Sequence, residues 1–358
     1  MSKAPSTLQT VSTPAVLVDL DIARRNIDRF QAYADAHGLK VRPHIKTHKL
    51  PAMAEMQLRA GAIGVTCQKV SEAEAMIAAS PEIRDVLITY NILGAEKLSH
   101  LTALARKVTL SVVADNETVI DGLSGAFALE PAPLRVLVEC NTGADRCGVP
   151  TPEAAAALAQ RIAKAPGLVF GGLMTYPPAN DAAAVESFMN RAKAFIEAAG
   201  IKVPVVTSGG TPSMMEAAKA PVTTEYRPGT YVYNDRSLVT RGACTWDDCA
   251  LTVLATVVSV PAANRAIVDA GSKALTSDLL GLSGYGHVLS RNDITIDQLS
   301  EEHGRLISEG PINLKVGDRL RIVPNHACVV TNLVDAVNII EQGEISGLWP
   351  VVARGQIV

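Results

Sequence analysis

The sequence predicts an α/β protein: a (β/α)8 barrel of the TIM type followed by a mainly antiparallel β domain. Three observations lead there. Between residues 15 and 211, eight short apolar runs alternate with helix-length amphipathic segments. After about residue 240 the texture changes to β-branched residues broken by tight turns. No Gly-x-Gly-x-x-Gly follows the first run, where a doubly wound dinucleotide sheet would carry it.

The runs are AVLVDLD (15–21), KVRPHIK (40–46), GVTCQ (64–68), DVLITY (85–90), VTLSVVAD (108–115), LRVLVECN (134–141), LVFGGLMTY (168–176) and VPVVTSGG (203–210). Continuous apolar runs of this length suit strands buried on both faces, as parallel sheets require. Between them lie helical stretches such as IARRNIDRFQAYADAHG, which stops at Gly38, and TPEAAAALAQRIAKAPG, which opens on Thr151-Pro152. Eight such units in about 200 residues count out a barrel. Beyond it, CALTVLATVVSVPAANRAIVDAG, GDRLRIVPNHACVV and DAVNIIEQGEISGLWPVVARGQIV read as strands with turns at AAN, GD and EQGE. The division expected is a barrel over 14–240 and a β domain over 241–358, with residues 1–13 packed on the latter.

Composition narrows the partners. The 358 residues are 48% hydrophobic and only 4% aromatic, enough for a large core of helix-rich α/β type. The net charge of −3 and pI near 6.2 give no electrostatic case for nucleic acid or an anionic membrane. No run approaches a membrane span, and the N-terminal stretch has no apolar signal core. Six cysteines scattered through a long chain read as reduced thiols, which points to the cytoplasm.

Barrel enzymes place their chemistry where strands run into the following loops. The residues at those positions are Lys46, Gln68, Tyr90, Asn141 with Arg146, Tyr176, and Ser208-Gly209-Gly210-Thr211. A lone lysine after a strand is usually surface. Lys46 sits instead in RPHIKTHK, among Arg42, His44, His48 and Lys49. An amine held among cations and shielded from water is a nucleophile toward an aldehyde. The SGGT loop after the last barrel run suits a phosphate, because glycine lets backbone N–H groups approach the anion. A Schiff-base lysine at one end and a phosphate loop at the other suggest pyridoxal 5′-phosphate.

This combination resembles the fold-type III pyridoxal-phosphate enzymes with alanine-racemase-like barrels, and within them the D-threonine aldolase and D-serine dehydratase family. The resemblance rests on TPAVLVDLD, RPHIKTHK, NTGADRCGV, EYRPGTYVYND and VPNHACVVTNL. It implies that Lys46 carries the cofactor and that Arg146 contacts the phenolic oxygen. Ser208, Gly209, Gly210 and Thr211 would hold the phosphate, joined by Tyr233 or Asn234. Gln68 and Tyr176 would line the cofactor site. Arg227 would face the pyridine nitrogen, which a guanidinium leaves unprotonated and hence a weaker electron sink.

His326 and Cys328 read from residues alone as neighbours on one face of a strand. Two such residues are ordinarily structural. The family binds a divalent cation through this histidine and the second residue after it. Some aldolases have Asp there; imidazole with thiolate favours zinc, and a carboxylate would favour manganese or magnesium. The implied activity is a carbon–carbon lyase that splits D-3-hydroxy amino acids of the D-threonine type to glycine and an aldehyde. Dehydration of D-serine or 3-hydroxy-D-aspartate uses the same constellation. A racemase or a non-catalytic pyridoxal-phosphate carrier fits the metal pair and the β domain less well.

The histidine that aldolases carry after the seventh-strand tyrosine is missing from TYPPANDAAA. That leaves Tyr176, His48, a metal-bound hydroxide, or His287 or His303 from a second subunit to take the hydroxyl proton. The resemblance also implies a homodimer.

Overall fold

A computed structural model describes residues 7–358. The chain divides into two compact units. One comprises Arg29–Lys46, Pro51–Gly229 and Gln356–Val358; the other comprises the described residues up to Asp28, Thr47–Leu50 and Thr230–Gly355. RPHIKTHK therefore passes from one unit into the other after Lys46.

All eight apolar runs contain strands: β1 (Ala15–Asp19), β2 (Lys40–Val41), β3 (Val65–Cys67), β4 (Asp85–Ile88), β5 (Thr109–Ala114), β6 (Leu134–Cys140), β7 (Leu168–Thr175) and β8 (Val206–Ser208). Between successive strands come α1 (Leu20–Ala36), α2 (Pro51–Ala60), α3 (Val70–Ala79), α4 (Ala95–Ala105), α5 (Glu117–Phe127), α6 (Pro152–Lys164) and α7 (Ala182–Ala198). Local signals start two of these helices. Asn116 caps α5 by accepting from Val119 N at 3.0 Å, and Thr151 caps α6 ahead of Pro152 by accepting from Ala154 N at 3.1 Å.

The membership of the barrel differs from expectation at both ends. Its eight parallel strands run β2-β9-β8-β7-β6-β5-β4-β3, where β9 is Glu225–Tyr226. The circle closes through a parallel bridge of His44 to Thr66 and the bond from Thr66 N to Pro43 O, 2.8 Å. The count of eight holds, but β9 replaces β1. Two residues, one of them a glutamate, carry no apolar run to mark β9 as a strand. The first run is a strand that pairs elsewhere. A buried cluster of Leu87, Val113, Leu137 and Met174 joins four neighbouring barrel strands.

The second unit holds β1 together with β10 (Leu251–Ala262), β11 (Arg265–Val268), β12 (His287–Val288), β13 (Thr295–Leu299), β14 (Gly304–Ile307), β15 (Arg319–Val323), β16 (Ala336–Glu341) and β17 (Glu344–Pro350). Their order is β13-β14-β11-β10-β1-β16-β17, with β15 pairing β10 and β12. Every pairing is antiparallel except that of β1 with β16. Burial of both faces along Ala15–Val18 explains why β1 reads as apolar. Of residues 1–13, expected on this domain, 1–6 lie outside the described residues. Leu8 and Val11 pack against Ala15, Leu17, Leu254 and Ile340. Short helices α8 (Arg236–Thr240), α9 (Ser272–Leu275) and α10 (Ala327–Thr331) complete this unit.

Among the described residues no helix is long and apolar enough to cross a membrane. None of the six cysteines is joined in a disulfide among the described residues.

Candidate active site

In the barrel unit the chain leaves β2 and enters a single 3-10 turn at Ile45–Thr47. Of residues 41–50 only Lys46 is not buried. Its amine makes no hydrogen bond or ion pair among the described residues. Lys49, by contrast, is buried, and its Nζ donates to Asn332 Oδ1 (2.8 Å) and to the Ala353 carbonyl (3.1 Å). The motif's two lysines are held differently: Lys49 is anchored, and Lys46 is not.

Behind Lys46 the barrel interior is charged. Arg42 donates to Asp85 Oδ1 (2.6 Å) and Glu225 Oε2 (3.0 Å). The other Glu225 oxygen accepts the Thr207 hydroxyl at 2.8 Å, and Thr207 accepts Arg227 Nε at 2.9 Å. Arg227 also donates to the Thr175 carbonyl. Gly64 makes room for this chain, since a Cβ there would lie 2.5 Å from Arg42 Nη1. Burial pulls the Arg227 guanidinium down to about 10, with Glu225 and Glu139 acting the other way, so it remains a cation at neutral pH. Burial pushes Glu139 up to about 6, opposed mainly by Arg227.

His44 lies in the same layer. Its Nε2 is 3.1 Å from Gln68 Oε1, and the Gln68 amide nitrogen donates to the Thr89 carbonyl at 2.9 Å. That donation fixes Gln68 Oε1 as the acceptor facing His44, so the imidazole proton sits on Nε2. His44 Nδ1 is buried without a partner among the described residues. Burial first, then Lys46, Arg227 and Arg146, hold this imidazole neutral. Gln68 thus spends its side chain on positioning His44.

The remaining strand ends gather around Tyr176. Asn141 Oδ1 accepts from Gly143 N (3.0 Å) and Asp145 N (3.1 Å), a closed turn that presents Arg146. The Arg146 guanidinium lies 4.8 Å from the centre of the Tyr176 ring. Opposite is the Ser208–Thr211 loop. Gly209 packs so closely on β9 that a Cβ would meet the Arg227 carbonyl at 2.7 Å. Gly210, at φ +146°, has the edge of Tyr176 at 3.8 Å and Pro212 at 4.0 Å nearest to where a side chain would be. The Gly209 and Gly210 N–H groups make no backbone hydrogen bond among the described residues. A free amine, a permanent guanidinium, an unpartnered imidazole nitrogen and bare loop N–H groups together fit pyridoxal phosphate.

The second unit holds the other residues that the sequence singled out. His326 and Cys328 do not lie on a strand, contrary to expectation. β15 ends at Val323, because Pro324 has no N–H to continue the ladder, and His326 caps α10. The start of that helix, rather than strand alternation, brings the pair together. His326 Nδ1 is 2.9 Å from Asp278 Oδ2. Burial opposes its charge, but hydrogen bonds with Cys328 and Asp278 push it up to about 9. Cys328 Sγ lies 3.1 Å from the Thr47 hydroxyl and 3.5 Å from that of Thr230. Asp235 anchors the motif, accepting from Ala327 N at 3.1 Å while capping α8. Among the described residues no group of three or more His, Cys, Asp or Glu is placed to hold a metal. Imidazole and thiol facing one another fit a cation with two protein ligands and open positions.

The candidate bases and phosphate partners fare unequally. His48 is fully buried; its Nδ1 accepts Leu50 N at 3.0 Å and its ring meets Tyr233 edge-on, the placement of a packed core histidine. His287 stacks on Trp246 at 3.8 Å, and His303 is exposed in the turn between β13 and β14. The Tyr233 hydroxyl is buried without a partner among the described residues, whereas Asn234 Nδ2 donates to the Asp248 carbonyl at 3.0 Å. Reading strand ends missed Thr207, Glu225, Thr47, Asp235 and Asp278. Thr47 lies within RPHIKTHK, and Glu225 and Asp235 within EYRPGTYVYND, but none of them was singled out.

Comparison with known proteins agrees with this architecture. The family model "Alanine racemase, N-terminal domain" matches residues 18–237, and "Putative serine dehydratase domain" matches 250–340. D-threonine aldolase of Arthrobacter sp. is 35% identical over 97% of this chain and 94% of its own. D-threo-3-hydroxyaspartate dehydratase of Delftia sp. is 32% identical over 90% and 92%. Among solved structures, D-threonine aldolase from Filomicrobium marinum superposes with a TM-score of 0.92 at 33% identity over 100% of both chains. The Delftia dehydratase superposes at 0.87, with 30% identity over 96% and 98%. Solved forms of that dehydratase include a histidine-to-alanine mutant and a cysteine-to-alanine mutant in the metal-free form. With both domain models matched in order along one chain, the protein belongs to the D-threonine aldolase and D-serine dehydratase family of fold-type III pyridoxal-phosphate enzymes.

Proposed function

We propose that the chain is a pyridoxal-phosphate- and divalent-metal-dependent aldolase that cleaves D-3-hydroxy amino acids of the D-threonine type to glycine and an aldehyde. The observation that carries this reading is the likeness to D-threonine aldolase along the whole chain, closer at a TM-score of 0.92 than the 0.87 of the dehydratase.

Lys46 is the attachment point for the cofactor, and the Ser208–Thr211 loop is the seat of its phosphate. When bound, the cofactor supplies an electron sink for charge left at the α-carbon. Arg227, which stays protonated, would face the ring nitrogen and withhold a proton from it. Arg146 and Tyr176, stacked on one another, would line the same site. With His48 packed in the core, Tyr176 is the barrel side chain we assign to accept the substrate hydroxyl proton, with His287 or His303 of a second subunit as the alternatives. A zinc or manganese ion on His326 and Cys328 would supply Lewis acidity toward the substrate's oxygen atoms.

Dehydration is the second reading, and Cys328 favours it. The mutated histidine and cysteine of the dehydratase stand two positions apart, as His326 and Cys328 do. Product analysis separates the two. Incubation with D-threonine and zinc or manganese should release glycine and acetaldehyde, and chelator should abolish turnover. Pyruvate and ammonia from D-serine, with no glycine from D-threonine, would establish the dehydratase instead.

A further inference from the structure

Cys328 is held on more than one side. Its sulfur lies 3.1 Å from the Thr47 hydroxyl, 3.5 Å from the Thr230 hydroxyl, and within a hydrogen bond of His326. Thr47 is fully buried, so no water competes for its hydroxyl. In the thiol form either partner of each contact can donate. A metal-bound cysteine is a thiolate, which only accepts, so both hydroxyls must then turn their protons toward sulfur. The imidazole is held in a similar way: Asp278 Oδ2, 2.9 Å from Nδ1, keeps a proton there and leaves Nε2 for a ligand bond.

We propose that Thr47 and Thr230 are positioning residues of the cation site, paired hydroxyl donors that set the orientation and basicity of the Cys328 thiolate, and that Asp278 does the same for His326. This rests on the reading of His326 and Cys328 as ligands. It assigns a task to Thr47 of RPHIKTHK, the residue directly after Lys46. One 3-10 turn, Ile45–Thr47, then carries both the cofactor amine and the donor to the metal's thiolate. Metal binding releases the Cys328 thiol proton to solvent, and hydroxyl bonds to sulfur lower the cost of that release.

The test uses holoenzyme stripped of metal and titrated with cobalt(II), whose bond to a thiolate gives a near-ultraviolet charge-transfer band. Thr47→Val, which keeps the shape and removes the donor, should weaken cobalt binding about 10- to 100-fold and move the band to longer wavelength. Thr47→Ser should restore both. Thr230→Val, at the longer contact, should shift both less, and Asp278→Asn should weaken binding without moving the thiolate band. The cofactor's visible absorbance should stay unchanged throughout, which checks folding. No thiolate band in the wild type would refute the ligand assignment itself. A wild-type band with equal affinity and wavelength in Thr47→Val and Asp278→Asn would overturn this inference alone.

Discussion

Replacing Arg42 by methionine tests whether the charged layer inside the barrel holds Arg227 in place. Methionine fills the volume of the arginine stem but deletes the cation that faces Asp85 and Glu225. The Asp85 side chain is 29% exposed and can turn to water, so its loss costs little. Glu225 cannot: its carboxylate is 6% exposed and would keep the Thr207 hydroxyl and the charge of nearby Arg227 but lose its own ion-pair partner. Removing one partner of a buried ion pair costs roughly 3–5 kcal/mol, mostly as the stranded charge. For a unit of this size that corresponds to a fall in Tm on the order of 10 °C. Because Thr207 links Glu225 to Arg227, the cofactor should also dissociate faster on dialysis. Adding Glu225→Gln removes the stranded charge and should recover most of the loss. Calorimetry of holoenzyme across the wild type, the single and the double variant makes the comparison. A single variant that melts within a degree of wild type, or a double variant no better than the single, would refute the stranded-charge account.

Lys46→Ala should abolish the visible absorbance of bound cofactor and its trapping by borohydride, while Lys49→Ala keeps both and loses only stability, about 1–3 kcal/mol for hydrogen bonds that include those to Asn332 and Ala353. A band that survives in Lys46→Ala would show the lysine to be misassigned. The Glu139 carboxyl, held near 6 by burial against an ordinary 4.5, binds its proton more tightly folded than unfolded. Its contribution is therefore fully present below pH 4.5 and lost as pH rises through 6, about 2 kcal/mol in all. Glu139→Gln, which does not titrate, should gain that much on wild type between pH 4.5 and 7.5; parallel stability curves would remove Glu139 from the account. Sedimentation should give a homodimer, and full specific activity in a monomer would contradict it.

Much of this molecule was legible from local patterns. Most of the eight apolar runs bury both faces of their strands and so leave no alternation to confuse the reading. The caps at Asn116 and Thr151 act over three residues, a range that sequence spans directly. Lys46, Arg146, Arg227 and the SGGT loop could be singled out because the roles proposed for them attach to residue type. Strand partners were not visible. A run buried on both faces is equally suited to either sheet, and only packing placed β1 between β10 and β16. The two residues of β9 are a strand solely because β8 and β2 lie on either side of them.

The octad RPHIKTHK shows the same division within eight residues. Sequence alone marks it as a cluster of cations too dense for an ordinary surface. Tertiary structure then gives each side chain its own partner: Arg42 to Glu225 and Asp85, His44 to Gln68, Thr47 to Cys328, His48 to Leu50, Lys49 to Asn332 and Ala353. Apart from the His48 and His44 contacts, these partners lie 43 to 304 residues away along the chain. Hydrogen bonds and ion pairs act over a few ångströms, so composition can announce that such charges need partners, and only the folded chain selects them. Among the described residues Lys46 is left without one, which is why it is the lysine proposed for the chemistry.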